Sequence, residues 1–394
     1  MVPPSAIAFP TATRSARAAQ AQVGLRAALD SPRIRGLDFL RACSILFVLL
    51  AHATEDLLSG PARQAIGGLG GLGVEIFFVL SGFLITWMLL GELDGNRRID
   101  YLAFYRRRIA RLMPVFYLYL FSTLGLLLLQ HKSVPWGAVW ASLLYVINYY
   151  QALNGAPSHF LSHCWSLAVE EQFYLFWPVV AGVLAARRIS FARALVFGIL
   201  AVWAWRWWLL QSQAPVDYLY RALDTRGDHL AIGCLAAVLA RSDAWCRSIE
   251  HLHRDPLRPV LVVLLLAGLY CSTLADGTSP TYKYGVGFMI EPLMIAMLIP
   301  LTVLGASGSG AGARILNLPL AVEIGKVSYG MYLFHGLVMF TAIRIVSAAT
   351  GSFAVGFVCA TAILVLFCSV LFRVFEMPIR RRIASAGQAS SSVS

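Results

Sequence analysis

The sequence predicts an all-α integral membrane protein of about ten transmembrane helices, with both termini cytoplasmic. Three observations carry that expectation. Of 394 residues, 58% are hydrophobic and only 13% charged, with a mean hydropathy of +0.69, whereas soluble domains carry about 25% charged residues. The apolar residues fall in runs of roughly 20, the length a helix needs to cross the hydrocarbon core. The basic residues, which set a net charge of +12, lie in the short segments between those runs. That placement is a topology signal. No aromatic-interleaved basic patch supports binding to nucleic acid.

The first run, 37–58, carries Arg41 and His52. The second, 69–91, holds Glu75 in an aromatic stretch, and the third, 109–130, follows a cluster of arginines. The run 165–186 is opened by Glu170 and Glu171. After it come 194–211, 228–240, 259–275, 286–304, 326–346 and 353–373. The run 228–240 is short and needs its flanks to reach across. A further run, 137–152, is assigned as re-entrant, because counting it as a crossing spoils the charge bias. With the N-terminus inside, the inner segments hold Arg33, Arg35, Arg97, Arg98, Arg106, Arg107, Arg108, Arg187, Arg188, Arg193, Arg241, Arg247, Arg254, Arg258, Arg314 and Arg380 to Arg382. The outer ones hold only Arg63, Lys132, Arg221, Arg226 and Lys283.

Residues 1–32, rich in Ala and Arg, are expected to be a disordered cytoplasmic tail, as are 383–394; residues 33–382 form the membrane domain. No cleavable signal peptide and no internal repeat is visible. The seven cysteines are scattered singly without disulfide or metal-ligand spacing, so they are expected to pack as small hydrophobes. No metal is expected.

Titratable side chains inside a span are expensive and tend to mark working sites. Arg41 and His52 are eleven positions apart, about 16 Å along a helix axis, and return to about the same face. An imidazole there suits a general base acting on a hydroxyl; the bland alternative is a polar residue bridging helices. Arg106 and Arg107 fit plain interfacial anchoring. Arg108 and Arg111, at i,i+3, share one helical face, where guanidinium forks suit a phosphate-bearing ligand. Glu170 and Glu171 either complement the N-terminus of an apolar helix or place one carboxylate inward, to orient His52 or a hydroxyl substrate. Adjacent residues diverge by about 100°, so one at most faces a pocket. Glu75, Arg226, Asp228 and His335 are further pocket candidates. For Arg226 and Asp228 a structural ion pair is the stronger reading, and for His335 an interhelical hydrogen bond. Glu376 is expected to pair with a nearby arginine. The glycine-rich stretch 305–312 lacks a following Lys-Ser/Thr and reads as a flexible inner loop.

Five motifs in order resemble the acyltransferase-3 family of integral membrane acyltransferases. They are Arg41-x10-His52, the segment 73–85 (GVEIFFVLSGFLI), Arg108-Ile-Ala-Arg111 with Pro114, the segment 165–174 (WSLAVEEQFY) and Ser328 to His335. The resemblance runs from about Gly36 to Arg382. It implies transfer of an acyl group, usually acetyl, from cytoplasmic acyl-CoA to a hydroxyl of a carbohydrate acceptor such as lipopolysaccharide, exopolysaccharide or peptidoglycan. It implies a multi-pass protein of the bacterial inner membrane, embedded in the lipid bilayer. The family's essential histidine and its paired arginine correspond to His52 and Arg41, and its Arg-x-x-Arg to Arg108 and Arg111. Glu75 stands where many members carry Asp, and Gly330 where Ser is common. The stretch after Arg382 is too short for the extracytoplasmic domain some members carry, so a stand-alone membrane domain is expected. Direct transfer and an acyl-histidine intermediate both remain open. On residue physics alone a transporter or flippase, conducting a proton or lipid-linked sugar along the same stripe, is the competing class.

Overall fold

In the computed structural model, residues 24–55, 57–155, 160–277 and 279–383 are described. Among them there is no strand, and nine helices are long and apolar enough to cross a membrane. Helix α1 (Leu25–Leu29) precedes the first of these, α2 (Leu37–Thr54). Here the sequence expectation fails: residues 24–32 were assigned to the disordered tail. Leu25 and Leu29 recur at i,i+4 and are both buried. The Leu25 N–H donates to Glu250 Oε1 at 2.7 Å, and Trp87 Nε1 donates to the Leu29 carbonyl at 3.1 Å. The rest of that tail, 1–23, and residues 384–394 lie outside the described residues. Gly36 takes φ +86° to turn the chain into α2, a conformation glycine adopts without penalty.

Helix α3 (Gly60–Asn96) runs 37 residues, about 56 Å, well beyond one bilayer. Helix α4 (Tyr101–Leu129) starts eight residues before the expected run, because Asp100 caps it by accepting from the Ala103 N–H at 2.9 Å. The arginine cluster therefore lies inside the helix. The ambiguous run 137–152 resolves into two eight-residue helices, α5 (Trp136–Leu143) and α6 (Ile147–Asn154). Each is about 12 Å long and too short to span alone. Helices α7 (Cys164–Ala186) and α8 (Phe191–Gln211) are spanning length, and α9 (Val216–Arg221) is a single turn and a half.

The short run 228–240 falls in α10 (Leu223–Leu239), 17 residues, which is the expected span missing from the nine. It packs between α3 and α8. A Cβ on Gly82 would collide with the Leu230 carbonyl, and one on Gly233 with the Val79 carbonyl. The reciprocal glycines let two backbones approach as small residues do at membrane helix interfaces. Helix α11 (Asp243–Arg254) follows, then α12 (Arg258–Asp276), a π-helical turn (Thr281–Gly287), α13 (Phe288–Ser307) and α14 (Ala311–Leu316). Helix α15 (Pro319–Thr350) and α16 (Phe353–Leu371) close the bundle, the latter continuing through a second π-helical turn (Phe372–Glu376).

One buried cluster joins α2, α4, α7 and α15, and a second joins α1, α3, α10 and α13. Outward faces are apolar too: Phe197, Leu264, Val358 and Leu366 are exposed, as lipid-facing residues should be. Four of the seven cysteines are buried, two half-buried and Cys271 exposed, and none forms a disulfide.

Candidate functional site

Helix α2 supplies the stripe its spacing predicts. His52 Nδ1 lies 3.0 Å from the Val48 carbonyl oxygen one turn earlier. A carbonyl can only accept, so Nδ1 carries the proton and the Nε2 lone pair is left for chemistry. Two further imidazoles gather there from distant helices. His335 on α15 lies tilted against His52 with ring centroids 4.9 Å apart, and His163, at the N-cap position of α7, lies 4.7 Å from His335. His335 repeats the local device, with Nδ1 2.6 Å from the Tyr332 carbonyl. His163 Nε2 is buried and has no hydrogen-bond partner among the described residues. The Tyr332 hydroxyl sits 2.6 Å from Ser166 Oγ and 3.0 Å from the His163 carbonyl oxygen.

His52 and His163 open onto a cavity of about 510 Å³, walled by Trp165, Tyr220 and Tyr332, with Arg63 also in its lining. That is within the size range of small-molecule sites. A second, narrower cavity of about 80 Å³ adjoins it, the two sharing Val74 and Tyr332 as lining residues. Its walls bring together Arg41, Arg108, Arg111 and Glu170. Three guanidinium groups against one carboxylate give that lining a net charge of +2, which suits an anionic ligand. Arg108 lies over the Tyr174 ring, its Cζ 3.8 Å from the ring centroid, with Nε unpartnered among the described residues. Arg41 is 3.5 Å from Asp38. Arg106 and Arg107 instead face away, to the Ile383 carbonyl at 2.9 Å and Glu92 at 2.5 Å, in keeping with an anchoring role. Arg380 pairs with Glu376, as expected.

Glu170 faces a cavity, but not at the histidine end. Its Oε1 accepts from Ser81 Oγ at 2.7 Å within the arginine cavity, and Glu171 lines neither cavity. The expectation that one of them orients His52 is therefore corrected. Helix α7 begins at Cys164, so Glu170 stands two turns below His163, about 10 Å down the axis. The stripe His163, Ser166, Glu170 and Tyr174 follows i,i+3,i+7,i+11 spacing and connects the imidazole end to the guanidinium end. His163, Ser166, Tyr174 and Tyr332 were not singled out from sequence, although that periodicity was available for the first three.

Arg226 and Asp228 do not pair with each other, because residues at i,i+2 point to different faces of a helix. Arg226 Nη1 is 3.3 Å from Glu75 Oε1, and Asp228 Oδ2 is 2.8 Å from Arg206 Nη1. His229 bridges the pairs, 2.9 Å from Asp228 and 3.5 Å from Glu75. All five are buried, and none lines either cavity. Arg226 lies 3.8 Å from the Phe288 ring and within 6 Å of Tyr220 and Trp165, so this network backs the wall of the His52 cavity. Arg206 was missed from sequence because its carboxylate partner comes from another helix, and His229, although it adjoins Asp228 in sequence, was not singled out.

The fold and the two cavities define a multi-span membrane protein with imidazoles and guanidiniums at opposite ends of one stripe. The chain belongs to the acyltransferase-3 family, whose acyltransferase-domain model matches residues 34–373. It is similar to a putative peptidoglycan O-acetyltransferase, YrhL, of Bacillus subtilis (30% identical over 322 residues, 77% of this chain and 48% of the relative). It is also similar to the O-acetyltransferase OatA of Staphylococcus aureus strain NCTC 8325 (28% over 380 residues, 89% and 58%). A putative O-acetyltransferase, SACOL0978, of S. aureus strain COL matches at 28% over 372 residues, 88% of this chain and 57% of the relative. The chain thus spans about half the length of the curated relatives it matches. No solved structure matches it.

Proposed function

We propose that this protein moves an acetyl group from cytoplasmic acyl-CoA to a sugar hydroxyl of a cell-surface glycan. It does so from the bacterial inner (cell) membrane, with both termini on the cytoplasmic side. The observation that carries the reading is the junction of the two cavities at Val74 and Tyr332. Those shared walls set a guanidinium-lined chamber, suited to an anionic acyl donor, beside an imidazole with a free Nε2. In the reaction, the Nε2 lone pair of His52 takes the proton from the acceptor O–H as that oxygen attacks the thioester carbonyl. The C–S bond then breaks, and the imidazolium returns the proton to the departing thiolate. Tyr220 and Trp165 offer flat faces to a sugar ring in the larger cavity. Peptidoglycan is the acceptor named for YrhL, and a peptidoglycan sugar is the first acceptor to test.

The test supplies labelled acetyl-CoA and acceptor glycan to purified wild-type protein and to His52→Ala in lipid vesicles. Label on the glycan with wild type, and its loss by a factor of about 100 or more with the variant, is the expected result. Transfer at the wild-type rate by a properly inserted His52→Ala protein overturns the role of His52. Movement of a glycan without covalent label would place the protein among the transporters instead.

A further inference from the structure

Two grooves beyond the arginine cavity continue the same path and are not used by the chemistry at His52. One, of about 640 Å³, contains Arg41 and so adjoins the arginine cavity; it is also lined by Arg26, Arg33 and Arg241. The other, of about 990 Å³, shares Arg33 and Asp38 with the first and adds Arg35, Arg314 and the loop Gly308–Gly310. Across both, six arginines (26, 33, 35, 41, 241 and 314) face three aspartates (30, 38 and 94), a net charge of +3. Four of the six are engaged: Arg33 and Arg41 with Asp38 at 2.5 and 3.5 Å, Arg241 with Asp94 at 2.9 Å, and Arg26 with Asp30 at 3.1 Å. Arg35 and Arg314, both exposed, make no ion pair among the described residues. A Cβ on Gly310 would meet nothing within 4 Å, so this loop borders open space and its backbone is approachable.

We propose that this double groove binds the nucleotide end of the acyl donor, a nucleoside diphosphate bearing a further phosphate on its ribose. The proposal rests on the acyl-CoA reading above. Arg35 and Arg314 grip phosphate oxygens, while Arg33 is held in place by Asp38, which also lies against Arg41. Asp38 thereby ties the nucleotide groove to the mouth of the arginine cavity. The charge excess selects a polyanion, and the 80 Å³ chamber that follows admits only a thin arm. A ligand that is bulky and polyanionic at one end and slender at the other matches both. Arg35 lies just before α2, whose first residue, Leu37, precedes His52 by 15 residues, about 22 Å of axis rise, so an extended arm is needed to bring a thioester to the imidazole.

The experiment measures acetyl transfer by wild type and by Arg35→Ala/Arg314→Ala with two donors, acetyl-CoA and acetyl-phosphopantetheine, which lacks the nucleotide. The double variant should raise KM for acetyl-CoA about tenfold with kcat within about twofold, and leave KM for acetyl-phosphopantetheine unchanged. Adenosine 3′,5′-bisphosphate should inhibit the wild type competitively against acetyl-CoA and inhibit the variant correspondingly less. An unchanged KM for acetyl-CoA, or an equal rise for both donors, overturns the nucleotide site while the acyltransferase reading stands. A folded wild type that uses neither donor removes the donor reading itself, and the site with it.

Discussion

Replacing Arg226 by Met leaves Glu75 in the core with no guanidinium facing it. Arg226 is 0% exposed and Glu75 2%, so water cannot compensate the carboxylate. Breaking a buried pair by removing one partner destabilises by about 3–5 kcal/mol, a large share of an ordinary 5–15 kcal/mol stability. Arg226→Met also removes the guanidinium from the Phe288 ring, while the His229 ring stays 3.5 Å from Glu75. We therefore expect about 3 kcal/mol for Arg226→Met and a similar loss for Glu75→Gln. The double variant should be less destabilised than the sum by about 1–3 kcal/mol, because the two residues are in contact. Reversible unfolding in mixed dodecylmaltoside and dodecylsulfate micelles, followed by tryptophan fluorescence, measures all three. Strict additivity would refute the coupling. Wild-type stability in either single variant would show that the network carries no structural load.

Three further outcomes follow from the site. Arg111→Ala should raise KM for acetyl-CoA about tenfold or more, since one charge-assisted hydrogen bond to the donor contributes about 1.5–3 kcal/mol; steady-state kinetics in vesicles check this. Glu170→Gln should lower kcat/KM several-fold whereas Glu171→Gln should be near neutral, because only the former lines the arginine cavity; equal effects would contradict the assignment. Gly82→Leu should abolish folded yield in detergent, where Gly95→Ala leaves it unchanged: the first meets the Leu230 backbone, the second nothing within 4 Å. Monodisperse elution on size exclusion is the readout.

Much of the architecture was legible because spans advertise themselves by length and hydropathy. The Arg41–His52 stripe and the division of labour among Arg106, Arg107, Arg108 and Arg111 were legible because both depend only on helical periodicity within one element. What was not legible depends on contacts between elements. The histidine cluster assembles from positions 52, 163 and 335, which no local pattern connects. Glu170 was misplaced because its depth depends on where α7 starts. Arg226 and Asp228 were paired by proximity in sequence, when both find partners on neighbouring helices. Helix α1 was hidden in an Ala- and Arg-rich tail because five residues with two leucines are too short a run to set a period; its hydrogen bonds to Glu250 and Trp87 come from other helices.

The narrow chamber between Arg41 and Val74 bears on how such a protein can live in an energised membrane. Its 80 Å³ holds a handful of solvent molecules at most, and its lining is electropositive. A bore that tight, guarded by fixed cations, resists hydronium and sodium just as a charged constriction does in a water channel. On the proposed acyl-CoA reading, acyl groups can then be handed across while the ion gradients on which the cell depends stay intact.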